Sequence, residues 1–184
     1  MTDLFDSGPR DLSDQAVLIV IEGEPVGKGR PKFAVQGGFV RVYTPEKTRD
    51  YELEIQMEVG RALYGQAMAE RIYGLRKLPA KDMFLMLQFA PAFLGPVKID
   101  MEIAHSIRAS WPKGKQEAAR LGNIAPTIKI DFDNCAKIFC DAFNGCMWAD
   151  DTQVIEANIR KKFSDNPYVS VCVTPIDLMT VQDF

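Results

Sequence analysis

Residues 129–151 read KIDFDNCAKIFCDAFNGCMWADD, placing Asp131, Asp133, Asp141, Asp150 and Asp151 close in sequence to Lys137. Carboxylates crowded in this way repel one another, so a shared site calls for a compensating cation. Oxygen donors without His or Cys suit a hard ion, Mg²⁺ or Mn²⁺. Asp131 and Asp133 point the same way if the backbone is extended, but about 200° apart in a helix. Pro126, Thr127, Ile128 and Ile130 favour extension, so a strand is expected with Ile130 and Phe132 inward and both aspartates outward. From Asn134 the period changes: Cys135, Ile138, Phe139, Ala142 and Phe143 form an apolar helical stripe. Asp133 is the expected N-cap, and Asn144-Gly145 the C-terminal stop. Lys137 and Asp141 then share the polar face, with Lys137 one turn beyond Asp133. Asp150 and Asp151 follow in a loop before a new strand. The spacing alone equally accommodates a plainer arrangement, a strand-to-helix turn with an Asp cap and a solvated Asp-Asp loop.

The rest of the chain must position these residues. Residues 16–22 read as a buried strand, 23–32 as a basic Gly/Pro-rich loop, and 32–43, broken at Gly37-Gly38, as a hairpin. Thr44-Pro45 opens a long helix to about residue 71, with Tyr51, Ile55, Val59 and Ala62 on its core face. A loop (74–81) leads to a buried strand (83–90). Ile99, Ile103 and Ile107 predict an amphipathic helix over 99–108. Residues 111–126 form a polar excursion, the candidate mobile, substrate-contacting loop. Ile155, Ala157 and Ile159 alternate with Glu156, Asn158 and Arg160 as a strand. A turn at 164–167 leads to a further strand at 168–173, giving an antiparallel C-terminal hairpin. The expected architecture is α+β, a single domain with a mixed β-sheet backed by helices.

At 184 residues the chain can bury roughly 70% of its unfolded surface, enough for one core. A domain over 16–175 is expected between a loose tail (1–15) and a C-terminal tail (176–184). No secretory signal, spanning apolar run or internal repeat is visible. Cys135, Cys140, Cys146 and Cys172 contain no CxxC pair, and His105 is the sole histidine. That composition argues against zinc and for reduced thiols in a cytoplasmic protein. The net charge is −3, but between Val26 and Arg49 six basic residues (Lys28, Arg30, Lys32, Arg41, Lys47, Arg49) face one acid, Glu46. Arg108, Lys113, Lys115 and Arg120 precede the acidic pair, and Arg160-Lys161-Lys162 follows the Asp-Asp loop. A basic surface on an acidic chain is compatible with a nucleic-acid partner, and ordinary solvated charges would look the same.

The segment resembles the signature of the RusA family of Holliday-junction resolvases, which runs approximately D-x-D-N-x-x-K, D-A-L/F-N-G, W/Y-x-D-D-x-Q-I/V. Here the motif appears as Asp131-Phe132-Asp133-Asn134, Lys137, Asp141-Ala142-Phe143-Asn144-Gly145 and Trp148-Ala149-Asp150-Asp151-Thr152-Gln153-Val154. Gly27-Lys28-Gly29-Arg30-Pro31-Lys32 resembles the family's N-terminal K-x-R-P-R/K element, and Ser110-Trp111-Pro112-Lys113-Gly114-Lys115 its basic S-W element. The ordered matches cover roughly residues 16–174.

The resemblance implies a Mg²⁺-dependent endodeoxyribonuclease of DNA recombination and repair, a homodimer that resolves four-way junctions by paired nicks. It implies that Asp131, Asp133 and Asp151 ligate Mg²⁺ (or Mn²⁺), with Asp150 a further ligand or an outer support. Lys137 would act on the scissile phosphate, beside the alternative of a solvated helix lysine paired to Asp141. Lys28, Arg30, Lys32, Lys113 and Lys115 would contact DNA phosphates. Trp111 and Trp148 are candidates for base stacking or for packing. The acidic balance and the long stretch 92–122 depart from the pattern. They leave open a nuclease of flaps or forks, and a non-catalytic branched-DNA binder of the same fold. No membrane partner or nucleotide cofactor is expected.

Overall fold

A computed structural model of the chain describes residues 15–78 and 91–178. The expected strand over 83–90 and most of both tails lie outside the described residues. In chain order the elements are β1 (Val17–Glu22), β2 (Lys32–Gln36), β3 (Phe39–Tyr43), α1 (Glu46–Tyr64), α2 (Gln66–Gly74), β4 (Val97–Ser106), α3 (Lys113–Arg120), α4 (Phe132–Phe143), a 3₁₀ turn (Asp151–Gln153), β5 (Val154–Ser164) and β6 (Tyr168–Pro175). Four strands form a mixed sheet in the order β1-β6-β4-β5, and β2-β3 is a separate hairpin. β6 runs antiparallel to both neighbours, whereas β4 and β5 are parallel.

Period-two alternation builds the core. Val17, Ile19 and Ile21 of β1, Val97, Ile99, Met101 and Ile103 of β4, and Val169, Val171 and Val173 of β6 are all buried and join one cluster beneath the helices. α1 lays Tyr51, Ile55, Val59 and Leu63 on this face, and α4 lays Cys135, Ile138, Phe139, Ala142 and Phe143 beside them. The two helices meet through an edge-on Tyr51–Phe139 pair, centroids 6.0 Å apart, a geometry ring quadrupoles favour. Truncating Phe139, which is 1% exposed, would cost about 3–5 kcal/mol.

The structure corrects several expectations. The expected helix over 99–108 is instead strand β4, which runs to Ser106. A spacing of four is a multiple of two as well as near one helical turn, so Ile99 and Ile103 satisfy either period. Val97 and Met101, buried on the same alternating face, fix the strand. The long helix breaks at Gly65, whose φ of 89° is left-handed backbone that favours glycine, and Leu63 replaces Ala62 in the core. The excursion at 111–126 contains α3. The strands β5 and β6 do not pair as a hairpin, because β4 lies between them. Among the described residues no helix is long and apolar enough to cross a membrane.

Candidate active site

The site is built on α4. Its backbone enters with Asp131 extended (φ −67°, ψ 143°) and becomes helical at Phe132. Asp131 therefore takes the cap position expected of Asp133, and Asp133 lies in the first turn. The shared outward face of an extended pair does not form, and Phe132, expected inward, is 58% exposed. Both carboxylates are exposed at the N-terminal end of α4, where the helix dipole favours negative charge.

One turn on, Lys137 projects into solvent, 61% exposed, with Nζ 3.6 Å from Oδ1 of Asp141. Asp141 also accepts from Lys28, 2.7 Å away, and Lys28 pairs with Glu52 of α1 as well. Burial alone would depress the Lys28 pKa, but the Asp141 and Glu52 hydrogen bonds outweigh it and raise the group above its ordinary value. Lys28 is thus a half-buried clamp between α1 and α4. Its backbone N–H donates to the Asn134 carbonyl at 2.9 Å, and a Cβ on Gly27 would stand 2.8 Å from Ile130. The approach of this loop to the start of α4 is what requires glycine there. Arg30 and Lys32 stay exposed.

The Asp-Asp loop is held by a capping box. Asp150 Oδ1 accepts from Thr152 N at 3.0 Å, and the Gln153 side chain accepts from the backbone of Ala149 and Asp150. Gln153 Nε2 donates onward to the carbonyls of Phe93 and Gly95. Asp150 is thereby a structural cap, its acidity strengthened by the Thr152 hydrogen bond, and it presents Asp151 to solvent beside α4. Asp151 lies near enough to Cys140 to act on its thiol; burial, then Asp151 and Asp141, push that thiol up to about 11. Burial pushes Cys135 and Cys146 up to about 12. These thiols stay protonated at neutral pH.

The segment leading into Asp131 has its own anchor. Lys161 of β5 donates from Nζ to the carbonyls of Ile128 and Ile130, each at 2.9 Å. Its neighbours Arg160 and Lys162 both pair with Glu102. The run 160–162 is therefore committed within the protein, and sequence spacing carried no signal of the Lys161 strap. Lys113 and Lys115 stand exposed at the start of α3, Lys115 over the Trp111 ring at 4.3 Å. Trp111 packs edge-on against Phe163. Trp148 is fully buried and donates to Asn144 at 2.8 Å, so its ring is packing, not a base platform.

Among the described residues, no three His, Cys, Asp or Glu side chains are grouped so as to hold a metal ion. Asp131 and Asp133 are exposed at the N-terminal end of α4, and Asp151 is exposed in the 3₁₀ turn. Their donor chemistry fits Mg²⁺, which is held by one or two carboxylates with waters and substrate phosphates completing the shell.

A family model, Endodeoxyribonuclease RusA, matches residues 22–73 and 80–174. The chain belongs to this family, whose activity is that of a Holliday-junction resolvase acting on branched DNA. It is also similar to the "Uncharacterized protein YqaN" of Bacillus subtilis (strain 168), 26% identical over 162 residues, or 87% of this chain and 96% of that protein.

Proposed function

We propose that this protein resolves four-way DNA junctions by paired, Mg²⁺-dependent nicks, each subunit of a homodimer cutting one strand. The observation that carries the reading is the start and polar face of α4, with Asp131 at its cap, Asp133 in its first turn and Lys137 one turn on, and with Asp151 exposed in the turn that Asp150 caps. In this reading Asp131, Asp133 and Asp151 hold the divalent ion, with Asp150 supporting Asp151. When bound, Mg²⁺ (or Mn²⁺) supplies water activation and offsets charge on the leaving oxygen. Lys137 needs little rearrangement to meet a phosphate, since it is largely exposed and its contact with Asp141 is long, 3.6 Å. Its ammonium then stabilises charge that develops as the P–O bond breaks. Arg30, Lys32, Lys113 and Lys115, all exposed, bind the flanking phosphates. Lys28 stays with Glu52 and Asp141 and holds the loop against α4.

A two-fold-symmetric cut requires two copies of the site, and each chain carries one, which is the argument for a C₂ dimer. Labelled junction, linear duplex and single strand, each with and without Mg²⁺, test the reading. Symmetric nicks confined to junctions with metal are expected, with Asp133→Asn binding but not cutting. Equal cutting of all three DNAs, or none with either Mg²⁺ or Mn²⁺, would refute it. Sedimentation equilibrium should give twice the chain mass.

A further inference from the structure

The β2-β3 hairpin serves neither the core nor the α4 stripe. Its register pairs Phe33 with Val42 and Val35 with Val40. Directly opposed residues share a face, as do residues two apart along a strand. One face of the ribbon is therefore Phe33, Val35, Val40 and Val42, which are 70%, 76%, 64% and 60% exposed. A lone two-stranded ribbon is marginal in water, and a wholly apolar exposed face marks a binding surface.

The surrounding charge identifies the occupant. Arg30 leads into the ribbon and Lys32 begins it, both exposed, and among the described exposed residues of the hairpin there is no acid. Apolar side chains framed by cations complement nucleic acid, which offers base faces within a border of phosphates. A protein partner fits less well. Four side chains on two five-residue strands fall short of the ~800 Å² per side that a stable interface buries, whereas phosphate contacts supply DNA affinity without such an area.

We propose that the hairpin is a wedge whose Phe33–Val35–Val40–Val42 face packs against unstacked bases at the branch point, while the flanking cations hold the phosphates. This rests on the nuclease reading above and adds the element that distinguishes branched from linear DNA. An apolar wedge entering a linear duplex must unstack it, whereas an open branch point has already met much of that cost.

The test uses a four-way junction and a linear duplex of matching arm sequence, each carrying 2-aminopurine at the branch position or its linear equivalent, with EDTA present. Wild type should bind the junction more tightly and raise emission there but not in the duplex. Phe33→Thr/Val40→Thr, with threonine chosen to keep strand preference, should lose about tenfold in junction affinity, in line with the stacking of a single base. It should also lose the emission rise while keeping its duplex affinity. Unchanged junction affinity and emission in this variant overturn the wedge. So does a fall in sedimentation mass with junction selectivity intact, which would assign the face to contact between protein copies. If the double variant misfolds by circular dichroism, Val42→Thr and the wild-type emission decide, and a wild type that leaves emission flat at saturation overturns the wedge. A wild type that binds neither DNA brings down the nuclease reading and the wedge together. One that cuts junctions selectively, with hairpin variants equally selective, brings down the wedge alone.

Discussion

Oδ2 of Asp141 lies 2.7 Å from the Lys28 ammonium, so the basic loop and the polar face of α4 are joined before any DNA arrives. Glu52 completes the clamp from α1, and the Lys28–Asn134 backbone hydrogen bond fixes the loop alongside. The cations of this loop therefore divide into one that organises protein and two, Arg30 and Lys32, that face solvent.

Salt titration should separate them. Arg30→Ala and Lys32→Ala should each flatten the slope of log K against log[salt] by about 0.9, the value for one duplex phosphate contact. Lys28→Ala should leave the slope nearly unchanged but reduce cleavage, because Glu52 and Asp141 lose their shared cation. If Lys28→Ala flattens the slope as much as Arg30→Ala does, the ammonium leaves its clamp to bind DNA.

Lys137→Ala should spare the fold, since an exposed i,i+4 pair with Asp141 contributes only about 0.2–0.5 kcal/mol. Single-turnover cleavage at saturating protein should fall by about a hundredfold, as when one charge-stabilising donor is removed, with junction affinity little changed. Collapsed affinity with a normal saturated rate would make Lys137 a docking contact instead.

Lys161→Met keeps the side-chain stem but removes both donors to Ile128 and Ile130. Hydrogen bonds from a charged donor contribute about 1.5–3 kcal/mol in favourable cases; at this partly exposed position a loss of about 2 kcal/mol in urea unfolding is expected. Cleavage should fall more than junction affinity, because the released segment leads into Asp131, and Lys161→Arg should restore part of both. Wild-type rate and stability in Lys161→Met would show that the start of α4 holds its place without the strap.

His105 supplies a pH dependence. It is 3% exposed, and among the described residues its Nε2 has no hydrogen-bond partner. Burial and then the nearby Lys161 charge lower its pKa, against a smaller opposing effect of Glu24. The unfolded chain thus takes up a proton that the folded one resists. Stability is unaffected above the unfolded value of about 6.5, falls as the pH drops below it, and levels off below the folded pKa. His105→Leu should remove this slope above the carboxylate range, as followed by urea midpoints. An unchanged slope in the variant would assign it to other groups.

Much of the scaffold was legible because the apolar run of β1 and the Gly37-Gly38 break of the β2-β3 hairpin suit strands, although Leu18 and Val20 of β1 are exposed and not buried, and the α4 stripe of Cys135, Ile138, Phe139, Ala142 and Phe143 fits a helix alone. The grouping of Lys137 with Asp141 followed from the same period. Ile99, Ile103 and Ile107 were ambiguous because their spacing suits a strand and a helix alike. The start of α4 was placed two residues late because the extension favoured at 127–130 was carried on through Phe132. Long-range partners left no local trace: nothing near Lys28 specifies Glu52 or Asp141, and nothing near Lys161 specifies two carbonyls some thirty residues upstream.

The insertion of β4 between β5 and β6 bears on how the chain reaches this state. Only three residues separate Ser164 from Tyr168, so the quickest loop to close would zip β5 and β6 directly together. That pairing occupies the edges β4 needs, and β4 must come from nearly sixty residues earlier in the chain. The fast local pairing is therefore a kinetic trap on the way to the native sheet, and productive folding depends on β4 docking before the last two strands meet.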